Sequence, residues 1–212
     1  KQRLIDLTRS TAHYVEVKTF HSYCFDLLGR PGTLEESGNV VKEAARMIRE
    51  GEVEQDKITK SVLVIDEAQD MSEDEYALVE ALMQRNETMR VIAVGDDDQN
   101  IFAFRGSDSK YLRNLLANHE AVQYELTENF RSAYRIVSFS NDYAQRISLR
   151  MKTKPAIAHR KTEGEVALIH HACHHFERAI IDELLQSDSN KDCAVLTSTN
   201  EEAFLIYNAL RK

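Results

Sequence analysis

Residues 62–75 read VLVIDEAQDMSEDE, four apolar residues running without a break into acid. A short, β-branched, continuously apolar run suits a strand of a parallel sheet covered on both faces. Its end at Asp66 and Glu67 puts two carboxylates at the carboxyl edge of that sheet, where α/β proteins hold their ligands. A second run, residues 91–94, ends the same way, in Gly95 and three aspartates. Between the two runs, Ser72 and Glu75 have the spacing of a capping box, and Leu78, Val79, Leu82 and Met83 recur at helical period. Strand, helix, strand in that order is the grammar of a doubly wound α/β fold.

The same grammar extends to both sides. Residues 13–18 (HYVEVK) are expected to form a strand. The helix after it has apolar positions Phe20, Cys24, Leu27 and Leu28, and Gly29 stops it. Residues 39–50 form a second helix, ended by Gly51. A boundary is expected near residues 127–132, followed by a long helix from about Ser132 to Ile147. The polar stretch KTKPAIAHRKTEGE (152–165) looks like a loop. Strands are then expected at Val166–His170 and Cys193–Thr197, and helices at Phe176–Leu185 and Asn200–Leu210.

Composition limits the function classes. With 212 residues and 42% apolar content, the chain can bury one or two cores. It has no apolar stretch long enough for a membrane span and no secretory signal pattern in its first residues. Its three cysteines, Cys24, Cys173 and Cys193, are too far apart for a disulfide framework. A cytoplasmic, membrane-free protein is the expectation. The net charge of −8 cuts against a simple phosphate-coating nucleic-acid binder, although a basic groove can coexist with acidic outer helices.

Nucleotide hydrolysis is the chemistry that calls for an Asp-Glu pair at a strand end. The first acid positions magnesium through water, and the second orients or deprotonates the attacking water. The plainer alternative is an acidic helix entry, because Asp and Glu favour the first turn and a helix starts at Ser72.

Further stretches bear on that choice. DEAQD (66–70), VGDDDQNIFAFRGSD (94–108) and LTENFRS (126–132) resemble motifs II, III and IV of the UvrD/Rep group of superfamily 1 DNA helicases. TFHSYCFDLL (19–28) resembles their motif Ib, and AVLTSTNEEAFLIYNAL (194–210) resembles a stretch of their second motor domain. The resemblance implies P-loop NTPase-like (RecA-like) parallel sheets flanked by helices in two partial motor domains. Residues 1–127 would belong to the first, with a reduced insertion, and residues 128–212 to the second.

It also implies roles. Asp66 and Glu67 would be the magnesium acid and the catalytic base. Gln99 would sense the γ-phosphate of ATP, and Arg131 would bring it positive charge. Phe130 would stack on the nucleotide base, with Gln69 also on the cofactor side. Single-stranded DNA would be met by Phe102 and Phe104 through stacking, by Thr19, His21 and Arg105 along the backbone, and by Asn200 from the second domain. The two phenylalanines fit core packing as the alternative.

The resemblance is incomplete. None of the seven glycines is followed by Lys, so the phosphate-cradling G-x-x-x-x-G-K-[ST] loop is expected outside these residues, in the remaining helicase segments of a parent chain. The stretch between residues 28 and 66 is also short for the family, which places unwinding, as opposed to translocation, in question. The competing expectation is a non-catalytic, helicase-like module that binds DNA or a partner. HHACHH (170–175) contains zinc-ligand residue types, but with no second ligand pair nearby a solvated strand-to-helix turn accounts for it better.

Overall fold

The computed structural model describes residues 14–29, 38–101, 106–170, 176–186 and 192–211. They divide into two compact units, one ending at Glu163 and one beginning at Gly164.

The first unit opens with helix α1 (Phe20–Leu28), which Thr19 caps by accepting the Ser22 N–H at 3.2 Å and which Gly29 ends at a left-handed φ of 65°. Helix α2 (Val40–Glu50) ends the same way at Gly51, and a single turn, α3 (Gln55–Ile58), leads into strand β1 (Val62–Ile65). Helix α4 (Glu73–Arg85) starts on the expected capping box, with the Ser72 N–H donating to Glu75 at 2.8 Å. Strand β2 (Arg90–Ala93) then pairs parallel with β1, Leu63 opposite Val91 and Ile65 opposite Ala93. Helix α5 (Lys110–Asn118) follows.

Helix α4 is the hinge of the core because it has two apolar faces. Leu78, Ala81 and Leu82 pack with Cys24, Val41, Ala45 and Ile48. Tyr76 and Val79 pack with Ile65, Met71, Tyr111 and Leu115. Each aliphatic side chain buried this way contributes about 1.5–3 kcal/mol, so α4 fixes where β1 ends. Buried Asn86 finishes the job, donating to Ile58 O and Leu82 O at 3.1 and 2.8 Å and accepting the Lys60 N–H at 3.2 Å.

Four sequence expectations need correction. β1 and β2 are covered on one face only: Ile65 is buried, whereas Val64 is 61% exposed and Val62, Ile92 and Val94 lie open with it. Residues 14–18 of the strand expected at 13–18 form no ladder with any described residue. The helix expected over 132–147 is the shorter α6 (Tyr134–Ala144). The expected loop at 152–165 contains strand β4 (Ile157–Ala158), parallel to β3 (Glu128–Asn129). It is also held against α6 by Asn141, which donates to Ala156 O and accepts the Ala156 N–H.

The second unit contributes helices α7 (Phe176–Gln186) and α8 (Asn200–Leu210), the latter started by a Thr199/Glu202 capping box. Its expected strands at 166–170 and 193–197 are not strands either. No backbone ladder joins them to any described residue, and Leu168 and Leu196 stand almost fully in solvent. No helix among the described residues is long and apolar enough to cross a membrane.

Candidate functional site

Both strand ends deliver their acids to one edge. The β1–β2 ladder runs one step past the strands, with Val94 N–H donating to Ile65 O at 2.8 Å and Ala68 N–H to Val94 O at 2.9 Å. This extra step draws residues 66–69 and 95–99 together. Glu67 turns the chain at φ 52°, ψ 42°, a left-handed conformation unfavourable for a residue with a Cβ. Such strain persists where the surroundings over-determine it, and it concentrates at functional sites.

A chain of hydrogen bonds crosses the edge. Gln69 Nε2 donates to Glu67 Oε2 at 2.8 Å, and Gln69 Oε1 accepts the Asp96 N–H at 2.9 Å. Asp96 Oδ2 in turn accepts from Gln99 Nε2 at 2.7 Å. Asn100 Nδ2 closes on Gln69 O at 2.6 Å. Gln69, expected among the cofactor-binding residues, is only 1% exposed and spends both ends of its amide inside the protein, where it holds the two loops together. Gly95 is required here by space: a Cβ would lie 2.7 Å from Gln69 Oε1 and 3.2 Å from Ala68 N.

Asp66 is exposed, with one carboxylate oxygen accepting the Glu67 N–H at 3.1 Å and no basic side chain paired with it among the described residues. An open, hard, anionic oxygen donor of this kind fits a magnesium ion that keeps most of its waters. The Asp96–Asp97–Asp98 cluster differs. Its carboxylate oxygens lie within 4.8 Å of one another. But Arg150 grips Asp98 with two 2.7 Å bonds, Lys152 reaches Asp96 at 2.6 Å and Asp98 at 2.7 Å, and the Met151 N–H donates to Asp97 at 2.6 Å. Burial opposes ionisation of Asp98, yet these two cations hold its carboxyl below the ordinary carboxylate range. Two cations of the same chain thus offset most of the cluster's charge. Asp70 is the reverse: burial, then the charges of Glu67 and Glu75, push its carboxyl up, and its Oδ1 has no hydrogen-bond partner among the described residues.

Phe130 and Arg131 sit together on a separate turn. Asn129 Oδ1 accepts the N–H groups of Arg131 and Ser132 at 3.0 and 2.8 Å, and Arg160 Nε donates to Phe130 O at 3.0 Å. The Phe130 ring lies against His159 with centroids 4.4 Å apart, and the residue is more than half exposed. The Arg131 guanidinium has no partner among the described residues. No hydrogen bond or ion pair described here joins this turn to Asp66, Glu67 or Gln99.

Thr19 and His21 are exposed at the start of α1, and Asn200 is exposed at the start of α8. Phe102, Phe104 and Arg105 lie outside the described residues, as does most of the HHACHH stretch. Sequence reading missed Arg150 and Lys152, although three adjacent aspartates demand counter-charge. It also missed Asn129, despite the known tendency of Asn to cap its own turn.

Acids at the ends of adjacent parallel strands, bridged by a buried glutamine, define the sheet-edge site of an α/β ligand-binding protein. Residues 41–120 match the UvrD/REP helicase N-terminal domain, and residues 124–212 match the UvrD-like helicase C-terminal domain. The chain belongs to the UvrD/Rep-like helicase family. Over 154 residues, 70% of this chain and 21% of the relative, it is 28% identical to DNA helicase II of Haemophilus influenzae. Over 158 residues, 71% of this chain and 20% of the relative, it is 29% identical to the putative ATP-dependent DNA helicase YjcD of Bacillus subtilis. An 80-residue stretch, 37% of this chain and 12% of the relative, is 38% identical to the ATP-dependent DNA helicase Rep of Salmonella typhimurium. The chain thus spans about a fifth of the length of the first two relatives.

Proposed function

We propose that this chain is the central part of an ATP-dependent DNA helicase motor, a P-loop NTPase-like (RecA-like) machine that couples ATP hydrolysis to movement on single-stranded DNA. It works with the remaining helicase segments of its parent polypeptide. Residues 1–127 contribute to the first motor domain and residues 128–212 to the second.

One observation carries this reading: the unbroken hydrogen-bonded chain from Glu67 through Gln69 and Asp96 to Gln99. It ties a carboxylate at one strand end to an exposed amide at the next, which is the wiring a hydrolytic site needs if it is to report the state of its phosphate. Glu67 has one oxygen steadied by Gln69, leaving the other to take a proton from water. That water attacks the γ-phosphorus, the bond to the β–γ bridging oxygen breaks, and ADP and phosphate leave. Asp66 would hold a magnesium ion, which when bound would supply charge neutralisation to the phosphates.

Gln99 contacts the γ-phosphate, and its bond to Asp96 sets its position beforehand. Arg131 serves the same phosphate with a permanent charge and a planar fork, for which its unpartnered guanidinium is suited. Phe130 offers its ring to the base. Thr19, His21, Phe102, Phe104, Arg105 and Asn200 contact the DNA strand.

The test uses the parent polypeptide, with ATP turnover measured with and without single-stranded DNA. DNA-stimulated hydrolysis that falls by about 10²–10⁴ in Glu67→Gln supports the proposal. Unchanged turnover in Asp66→Ala and Glu67→Gln overturns it, and a parent that binds DNA yet never hydrolyses ATP is the non-catalytic module.

A further inference from the structure

We propose that Arg150 and Lys152 are positioning residues, forming a latch by which the C-terminal family region holds Gln99 and Glu67 in register. The inference of a catalytic effect rests on the function proposed above. The latch itself rests on geometry alone.

Three consecutive aspartates after a strand repel one another, and left to themselves they would spread the loop that carries Gln99. They are held instead by residues 52 to 56 positions away in sequence. The two halves of the contact fall in different family regions: Asp96–Asp98 within 41–120, and Arg150–Lys152 within 124–212. Exposed ion pairs contribute little because water competes for them. This one is sheltered, with the Asp98 side chain 11% exposed and that of Arg150 23%. The fork of Arg150 meets both Asp98 oxygens, a geometry that fixes orientation as well as distance.

Asp96 makes the latch more than a clasp. One carboxylate oxygen accepts from Lys152 and the other from Gln99, while its backbone N–H is held by Gln69, which also holds Glu67. A single rotation of the Asp96 side chain therefore moves Gln99. If Lys152 withdraws, Asp96 Oδ1 keeps only the 3.1 Å bond from the Asp98 N–H, so the carboxylate and the Gln99 amide bound to its other oxygen are held less firmly.

The far side of the latch is anchored too. The N–H groups of Thr153 and Lys154 donate to Glu125 at 3.0–3.2 Å, and Gln123 Nε2 donates to Met151 O at 3.2 Å. Residues 123–125 lead directly into the turn bearing Phe130 and Arg131. Leu149, just before the latch, holds a left-handed φ of 63°, a conformation that needs outside support. A belt of contacts thus connects the Phe130–Arg131 turn to Glu67 through residues 150–154 and Asp96, two rigid loops joined by replaceable ion pairs.

The test is made in the parent polypeptide with Arg150→Met, Lys152→Met and Lys152→Arg, using two readouts. Hydrogen exchange across residues 95–101 should quicken about fivefold in the two Met variants and stay near the unmutated rate in Lys152→Arg. DNA-stimulated kcat should fall about tenfold in the Met variants, with KM for ATP within about twofold and recovery in Lys152→Arg. Unchanged exchange at 95–101 in both Met variants overturns the latch whatever the activity. Quickened exchange with unchanged kcat and KM overturns the positioning role. An unmutated polypeptide that hydrolyses no ATP overturns the functional proposal instead, and exchange then judges the latch by itself.

Discussion

Gln69 holds Asp96 and Glu67 at once, accepting the Asp96 N–H at 2.9 Å through Oε1 and donating to Glu67 Oε2 at 2.8 Å through Nε2. A carboxamide alone offers an acceptor and a donor at the two ends of one flat group. Gln69→Leu leaves the part-buried Asp96 N–H without its acceptor and is expected to destabilise the chain by about 1–2 kcal/mol. Gln69→Glu keeps the acceptor, loses the donor and sets a second carboxylate against Glu67. Its penalty should therefore grow as pH rises through the carboxylate range near 4. Urea denaturation of both variants at pH 4 and pH 7 reads the difference.

Gly95 works in the same contact from the other side. A Cβ there would press on Gln69 Oε1 at 2.7 Å and also on the backbone N atoms of Gln69 and Ala68 at 3.1 and 3.2 Å. Gly95→Ala should cost about 1–3 kcal/mol as an overpacking change. Part of that is the far end of a side chain, so the cost should shrink in a Gln69→Ala background. The backbone part should remain, and a double-mutant cycle by denaturation separates the two.

Local signals in the sequence are what the structure retains. The cap at Ser72 and the stops at Gly29 and Gly51 could be read because each depends on residues a few positions apart, and the parallel pairing of residues 62–65 with 90–93 followed from the strand–helix–strand order. The strands expected at 13–18, 166–170 and 193–197 could not. A strand exists only with a ladder partner, and alternating apolar residues do not say where that partner lies. The fully covered sheet was misjudged for a related reason, since an apolar run reports that a strand can be buried on both sides and not that it is. Arg150, Lys152 and Gln69 were beyond local reading in their actual roles. Apart from Glu67, two residues from Gln69, their partners on the aspartate loop lie 27 to 56 residues away, and contacts at that distance leave no periodic trace.

Glu67 sits at φ 52°, ψ 42°, and the geometry around it leaves no other choice: Ala68 N–H is bound to Val94 O and Asp70 N–H to Glu67 O, both at 2.9 Å. A left-handed residue bearing a Cβ costs about 1–2 kcal/mol, against about 0.5–1 kcal/mol of extra chain entropy for Gly. Glu67→Gly relieves about 0.5–1 kcal/mol of that strain but also removes the acceptor of the buried Gln69 Nε2, at about 1–3 kcal/mol, so stability is expected to fall by up to about 2 kcal/mol. In a Gln69→Leu background, where that bond is already gone, the strain relief should appear as a gain of about 0.5–1 kcal/mol, and a double-mutant cycle by denaturation separates the two, while ATP turnover of the parent polypeptide is lost with the proposed base.

Asp70 presents the clearest electrostatic debt in the structure, a carboxyl raised above its usual range by burial and by Glu67 and Glu75, with a buried oxygen lacking a partner among the described residues. A folded-state pKa above the unfolded value means the folded protein prefers the protonated acid. Stability from this group is complete below the unfolded value, near pH 4, and is lost as pH rises through the higher folded value. Asp70→Asn mimics the protonated form at every pH. It should raise stability by about 1 kcal/mol at pH 7 and change it little below pH 4. Denaturation midpoints of the unmutated and Asn chains, followed from pH 3.5 to 7, should coincide at the acid end and separate as pH rises. Midpoints that separate at the acid end and converge at pH 7 would show that Asp70 is stabilised as a carboxylate by a group that the packing around it does not reveal.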